Sequence, residues 1–332
     1  MVMALRKRVW RIIKENKGRY IGIVILILLG SFYFIAATGV ANNLEKMVVG
    51  FAEEYRQEDL TFSTDKPIEV VAALESESGA QIEAYWQYDV KLPDGQSLSG
   101  SELRQLSFSS KINIPAVLSG RCLENPGDIL LDPKFCQMHG LEIGGQIELN
   151  GKTFNIVGTM AVPNYVVILK NLYDVLPTSD FGIGIVSDED IEAFPETVTV
   201  YAAYFKDREN LNAQTAKLHG LLSEKGYSLS EWMDAKSNKR VSMPWGNISS
   251  MKSMSFPVST AFFLFSCLIV GVMITRMVKS DSVVIGTLYA QGYRRRELTW
   301  HYLAIPVLLS VVGSLAGLLL ALPCVRTVVI LC

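Results

Sequence analysis

The chain has 332 residues, 49% of them hydrophobic, with a mean hydropathy of +0.26 and a formal net charge of −2. It is too apolar for an ordinary soluble protein and too polar for one made mostly of membrane helices, so one part should be embedded and another soluble. Residues 41–255 hold 30 Asp and Glu against 18 Lys and Arg, and the remaining basic residues gather where a cytoplasmic membrane face would put them, which excludes a nucleic-acid partner.

In chain order, residues 1–19 form a basic N-terminus in which Arg6, Lys7, Arg8, Arg11, Lys14, Lys17 and Arg19 face the single acid Glu15. Residues 20–40, YIGIVILILLGSFYFIAATGV, carry no charge over 21 positions. At about 1.5 Å rise per residue they match the roughly 30 Å of a bilayer's hydrocarbon core. A cleaved signal peptide is the weaker reading, although Gly39 and Ala41 are spaced like a cleavage site, because the run exceeds the roughly 7–15 residues of a signal core.

An extracytoplasmic α+β domain is expected over 41–255, entered by a stalk helix at 41–57 where Leu44, Met47, Val48, Phe51 and Tyr55 recur at helical steps. DLTF and QIEAYWQYDV read as strands, the second followed by a turn at Pro93, Asp94 and Gly95. DKPIEVVAALES reads as a helix capped by Asp65, with Pro67 in its first turn. In GDILLDPKFCQMHGLEIGGQIELNGKTFNIVG a strand (DILL) leads to a short helix around Lys134 to His139, then to strands QIEL and TFNIVG joined by Asn150-Gly151. TVTVYAAYF reads as a strand, and residues 208–225 as a helix with Leu211, Leu218, Leu221 and Leu222 on its apolar side.

Gly145 to Thr153, GQIELNGKT, approaches a phosphate-binding loop but has one residue too many between its glycines and lies between two strands instead of opening a helix. Cys122 and Cys136 could be bridged or could be two small buried hydrophobes. The histidines His139, His219 and His301 are dispersed, so no metal site is expected, and no catalytic constellation stands out.

Residues 256–277 and 302–332 supply a second and a third span, the latter with Pro306 inside it. Between them, 278–301 is a short helix followed by a basic loop with Arg294, Arg295 and Arg296. By the distribution of Lys and Arg, the N-terminus and this loop are cytoplasmic and 41–255 lies outside, in a multi-pass protein of the cytoplasmic membrane. On the short helix Ile285, Leu288, Tyr289 and Gly292 share a face, with Ser280 or Asp281 able to cap its start and Gly292 to end it. Such a helix can lie among lipid headgroups or fit a groove on a soluble partner, and its residues alone leave both open. In the third span Gly313, Gly317 and Ala321 recur every four residues, a small face for close helix packing.

The stretch IGTLYAQGYRRREL resembles the signature of the FtsX-like/MacB-type permeases of ABC transporters, and DILLDPKFCQMHGLEIGGQIELNGKTFNIVG is similar to the core of that family's extracytoplasmic domain. The resemblance implies a permease subunit without catalytic residues or cofactor of its own, with ATP on a separate ATPase subunit. That subunit would be gripped by a coupling helix through Ile285, Gly286, Leu288, Tyr289, Gly292 and Tyr293. It further implies a lipid bilayer as surroundings, a homodimer or paired permease half, and ATP-driven motion relayed outward for export or mechanical work. Val284 stands where many members carry an acid, and the family's fourth span is missing before Cys332, so a truncated product or fragment is expected. The competing class is a signalling or scaffold protein whose outer domain binds a ligand or hydrolase.

Overall fold

A computed structural model describes residues 17–92, 101–174, 176–192, 194 and 196–330. The turn expected at Pro93, Asp94 and Gly95, most of the basic N-terminus and Cys332 lie outside the described residues. The chain divides into two units, one of residues 1–46 and 247–332, the other Met47–Gly246.

In Met47–Gly246 the elements after the end of helix α1 (Lys17–Glu54) are β1 (Leu60–Thr64), α2 (Val71–Ser78), β2 (Ala80–Lys91), β3 (Glu102–Ser107), β4 (Ala116–Gly120), β5 (Asp128–Leu131), α3 (Pro133–His139), β6 (Gln146–Leu149) and β7 (Lys152–Ala161). They continue with β8 (Phe181–Val186), α4 (Asp188–Glu192), β9 (Val198–Phe205), α5 (Leu211–Glu224) and β10 (Leu229–Asp234). The strands form one sheet in the order β10-β1-β9-β2-β3-β8-β5-β7-β4, with β6 added to β7. Pairing is antiparallel except β3 with β8 and β5 with β7, so the fold is α+β.

Residue alternation sends side chains to opposite faces of the sheet. Leu103, Ile129, Leu131, Phe154 and Ile156 form one core cluster with Phe135 of α3 and Ile191 of α4. Leu106, Leu130, Val157, Ile183 and Ile185 form another. At the β1 end Leu60, Phe62, Ile82 and Phe205 pack with Leu74 of α2 and with Leu218 and Leu222 of α5.

The densest sequence signal folds as expected. Asp132 caps α3 by accepting from the Phe135 amide at 2.8 Å, Pro133 opens it and Gly140 closes it in the left-handed region. Asn150 and Gly151, both at positive φ, make the tight β6–β7 hairpin, which disposes of a phosphate-binding loop there. Cys122 is exposed, Cys136 is buried, and both are free thiols.

The helix expected from Asp65 is a correction, because α2 begins only at Val71 and has no side-chain cap. Asp65 is engaged elsewhere: its amide donates to the Ser228 carbonyl and its carboxylate accepts from the Ser228 amide, both at 3.0 Å. Ile68 is buried, with its amide donating to the Tyr201 hydroxyl at 2.8 Å. These tertiary bonds, together with Pro67, which disfavours helical geometry at Lys66, keep 65–70 out of helical form.

Glu58, at 3% exposure, accepts from Asn113 Nδ2 at 2.6 Å. Burial pushes its carboxyl up to about 7, against hydrogen bonds from Thr61 and Asn113 and the charge of Arg240, which pull it down, while Asp59 pushes it further up. The unfolded chain ionises this group near 4.5. Stability therefore falls as pH rises from there to about 7, since unfolding releases a proton in that window, and the loss is complete above it. The gap corresponds to at most about 3 kcal/mol. Glu58→Gln should flatten the profile of the thermal midpoint between those pH values and leave the protein more stable than wild type above pH 7. A slope unchanged by the substitution would count against a neutral Glu58.

The other unit holds residues 17–46 of α1, α6 (Lys239–Ser280) from residue 247 on, α7 (Ser282–Ala290) and α8 (Arg295–Ile330). The windows Tyr20–Glu54, Lys239–Ser280 and Arg295–Arg326 each contain a stretch long and apolar enough to cross a membrane. The second span's helix begins at Lys239, well before Phe256, with both Pro244 and Gly246 confined to its first turns. Tyr20, Ile23, Ile27, Met273, Ile305 and Leu309 form the bundle's buried seam. Lys252 pairs with Glu45.

Candidate coupling site

The segment between α6 and α8 is built by its own local chemistry. Asp281 occupies the N-cap position of α7 but makes no side-chain cap bond; its carboxylate accepts from the Tyr302 hydroxyl at 3.0 Å, which ties the start of α7 to α8. Ser280 belongs to α6, so neither expected cap operates as such. At the other end Gly292, at φ 91, lets Tyr293 donate to the Leu288 carbonyl at 3.2 Å and Gly292 to that of Tyr289 at 3.1 Å. This pair is a Schellman closure, which needs the left-handed residue that Gly292 provides. The next helix follows at once. Glu297 accepts from the Arg294 amide at 3.0 Å while the Arg294 carbonyl takes the Glu297 amide, half of a capping box.

The residues singled out from sequence do not all point the same way. Val284, Ile285, Leu288 and Tyr293 are half-buried, while Gly286, Tyr289 and Gly292 are exposed. No residue of α7 is fully buried. Val283, not selected from sequence, has 76% of its surface exposed and Tyr289 66%. At about 100° per residue, Val283, Gly286, Tyr289 and Ala290 lie on the arc away from Leu288. The helix is apolar almost all round, so the sequence carried no polarity signal to show which arc turns inward; only the bundle contacts decide it. Arg294, Arg295 and Arg296 are all exposed, forming a basic edge beside that arc.

Of the three small residues of α8, Ala321 is fully buried. A Cβ on Gly313 would come within 2.9 Å of Ile27 Cβ, and one on Gly317 within 2.7 Å of the Leu28 carbonyl oxygen. The stripe is therefore filled by α1. Gly39 faces Val325 in the same way, and Asn43 Nδ2 donates to the Val325 carbonyl at 3.1 Å. Gly30 meets Phe262 of α6. These contacts hold the helices flanking α7 against the first.

Known proteins give three further findings. The periplasmic region of MacB from Actinobacillus actinomycetemcomitans is similar in structure at a TM-score of 0.36 with 11% identity, over 58% of this chain and 96% of that one. No curated protein matches the chain. Residues 256–330 match the family model of the FtsX-like permease C-terminal region. That match runs through the apolar part of α6, all of α7 and α8, the same elements that frame the short helix. Residues 256–330 are therefore similar to the C-terminal region of the FtsX-like permeases, in a chain with three helices long and apolar enough to cross a membrane among its described residues.

Proposed function

We propose that the chain is the permease subunit of an ABC-type complex in the cytoplasmic membrane, and that α7 is the helix by which a separate ATPase subunit moves it. The family match across 256–330 carries this reading, because it includes α7 together with both flanking helices. Two features of the chain support it. The exposed arc at Val283, Gly286, Tyr289 and Ala290 offers a small, apolar, aromatic-tipped surface that fits a groove on a soluble partner. The Lys and Arg of the N-terminus and of 294–296 favour a cytoplasmic position for both, with Met47–Gly246 outside.

In this reading ATP is bound and hydrolysed by the partner, and the chain itself performs no bond chemistry. A stroke delivered at α7 passes to α6 and α8 through the Asp281–Tyr302 bond and the Schellman turn, and to α1 through the glycine contacts. α1 and α6 each run on as one helix beyond their apolar stretches. Between 17% and 28% of the apolar windows is buried within the chain, which leaves surface for lipid and for a second permease copy or paired half. The output is export or mechanical work outside the membrane.

Purification of the chain in mild detergent tests the partner. The expected result is recovery of a nucleotide-binding subunit whose ATPase activity changes when the permease is present. Recovery of the chain with a histidine kinase or an extracellular hydrolase, and without any ATPase, would contradict the reading and favour a signalling role.

A further inference from the structure

Within Met47–Gly246, Asn164 sits in the short helical turn Pro163–Tyr165 after β7 and is only 4% exposed. Its Oδ1 is sealed from solvent and has no hydrogen-bond partner among the described residues. A buried amide oxygen without a donor costs free energy, and native structures rarely keep one. The donor must therefore come from the groups packed around it. No N–H or hydroxyl reaches the atom, and a carboxyl group becomes a donor when it takes up a proton.

Two acids line a cavity of about 280 Å³ together with Asn164: Glu231, which is exposed, and Glu58, which is buried. Residues 57–58 and 163–164 run side by side, because Gln57 Nε2 donates to the Pro163 carbonyl. Asn113 is next to both, since its Nδ2 donates to Glu58 Oε2 at 2.6 Å and it shares a small internal space with Asn164. That bond leaves Glu58 Oε1 to carry a proton, and burial holds the carboxyl neutral up to about 7. The groups facing it are Asp59 at its side, Tyr85 of β2, Arg104 of β3, Tyr165 of the turn, Lys170, Glu231 of β10 and Arg240 of α6. Arg104 and Lys170 are matched by Asp89 and Glu102, so Arg240 is the cation that a charged Glu58 would draw on.

Glu58 and Asn164 belong to the segments that follow α1 and precede α6. After α1 ends, the Tyr55 and Arg56 carbonyls accept from the Ile114 and Asn113 amides at 3.0 Å, and Glu58 is held to the same Asn113. On the other side the Val167 amide donates to the Arg240 carbonyl at 2.9 Å, while Arg240 donates Nε to the Leu169 carbonyl at 2.9 Å and Nη2 to the Lys170 carbonyl at 2.7 Å. A bond from Glu58 to Asn164 closes this series of contacts from the end of α1 to the first turn of α6. We propose that Glu58 is a proton-operated latch, which when protonated donates to Asn164 Oδ1 and ties the end of α1 to residues 163–170. On losing its proton to water it releases the turn, and its charge draws Arg240 away from the Leu169 and Lys170 carbonyls.

The latch is independent of the coupling role of α7. Amide hydrogen exchange of the full chain in nanodiscs, corrected for the intrinsic effect of pH, tests it at about pH 6 and about pH 8.5, on either side of the Glu58 transition. Wild type should exchange at residues 163–170 at least about tenfold faster at the higher pH. Glu58→Gln, whose amide donates to Asn164 at either pH while its oxygen still accepts from Asn113, should be slow at both. Asn164→Leu, which leaves the proton of Glu58 without an acceptor, should be fast at both. An infrared carboxylic-acid band present in wild type and absent from Glu58→Gln should fade over the same range. The proposal is overturned if that band is missing at about pH 6, or if wild type and Glu58→Gln change alike with pH. It is equally overturned if folded Asn164→Leu keeps the wild-type profile, as it would if a trapped water served Asn164 instead. Should the Asn164 variant not fold, the comparison of wild type with Glu58→Gln decides.

Discussion

Replacing Val283 and Tyr289 together by aspartate is expected to abolish recovery of the ATPase subunit while the chain stays folded and membrane-inserted. Both side chains are largely exposed at 76% and 66%, so neither supports the bundle. Docked in an apolar groove, each would lose contact area, and two new carboxylates would be buried without partners. An anchor residue truncated at an interface costs on the order of 2 kcal/mol or more, so the pair should weaken binding by at least about a hundredfold. Leu288→Asp is the contrasting variant. Leu288 is half-buried within the chain, and its carbonyl closes the turn at Gly292, so this substitution should lower the thermal midpoint as well as partner recovery. Recovery and ATPase stimulation, read beside melting in detergent, separate the two. Full partner recovery by the Val283/Tyr289 variant would remove α7 from the docking surface.

The second large effect is expected in α8. Gly317→Leu places a side chain where even a Cβ would stand 2.7 Å from the Leu28 carbonyl oxygen and 2.9 Å from the Phe32 amide nitrogen. Both are backbone atoms in the middle of α1 and have no rotamer by which to yield, so α1 and α8 must separate. Lost packing and forced shifts of this kind cost about 1–3 kcal/mol or more, and in a bilayer no hydrophobic effect between helices compensates. Gly271→Ala in α6 is the matched control, since nothing lies within 4 Å of its added Cβ and alanine favours the helix. Denaturant or thermal unfolding in detergent should show a large loss for the first and none for the second. Equal behaviour would mean that the glycine contact is not part of the folded membrane unit.

How much of this was legible in the sequence depends on which force writes each element. Local chemistry was readable: Asp132, Pro133, Gly140 and Asn150-Gly151 specify α3 and the β6–β7 hairpin through caps and positive-φ turns that need no distant partner. Uncharged length was readable as well, and gave the apolar stretches of α1, α6 and α8. Tertiary decisions were not. Asp65 looked like a cap but is drawn to Ser228, across the sheet's end, and α2 starts later as a result. Residues 239–255 lack a strong apolar stripe, so the extension of α6 went unseen. On α7 apolar residues surround the helix, so the sequence did not show that Leu288 would be half-buried and Val283 exposed. Nor did the sequence signal that Glu58, Arg104 and Arg240, from distant segments, would line one cavity of about 280 Å³ within Met47–Gly246.

The most direct measurement concerns what α7 touches. A photoreactive amino acid at position 289, in the full chain in native membranes, should cross-link to a nucleotide-binding subunit, and more strongly when hydrolysis is blocked. The same group at the exposed Tyr173 of the Met47–Gly246 unit should give no such product. If instead the probe at 289 is quenched by a membrane-impermeant reagent added outside, and the one at 173 captures the ATPase, the chain lies the other way across the bilayer and α7 does not couple it to ATP.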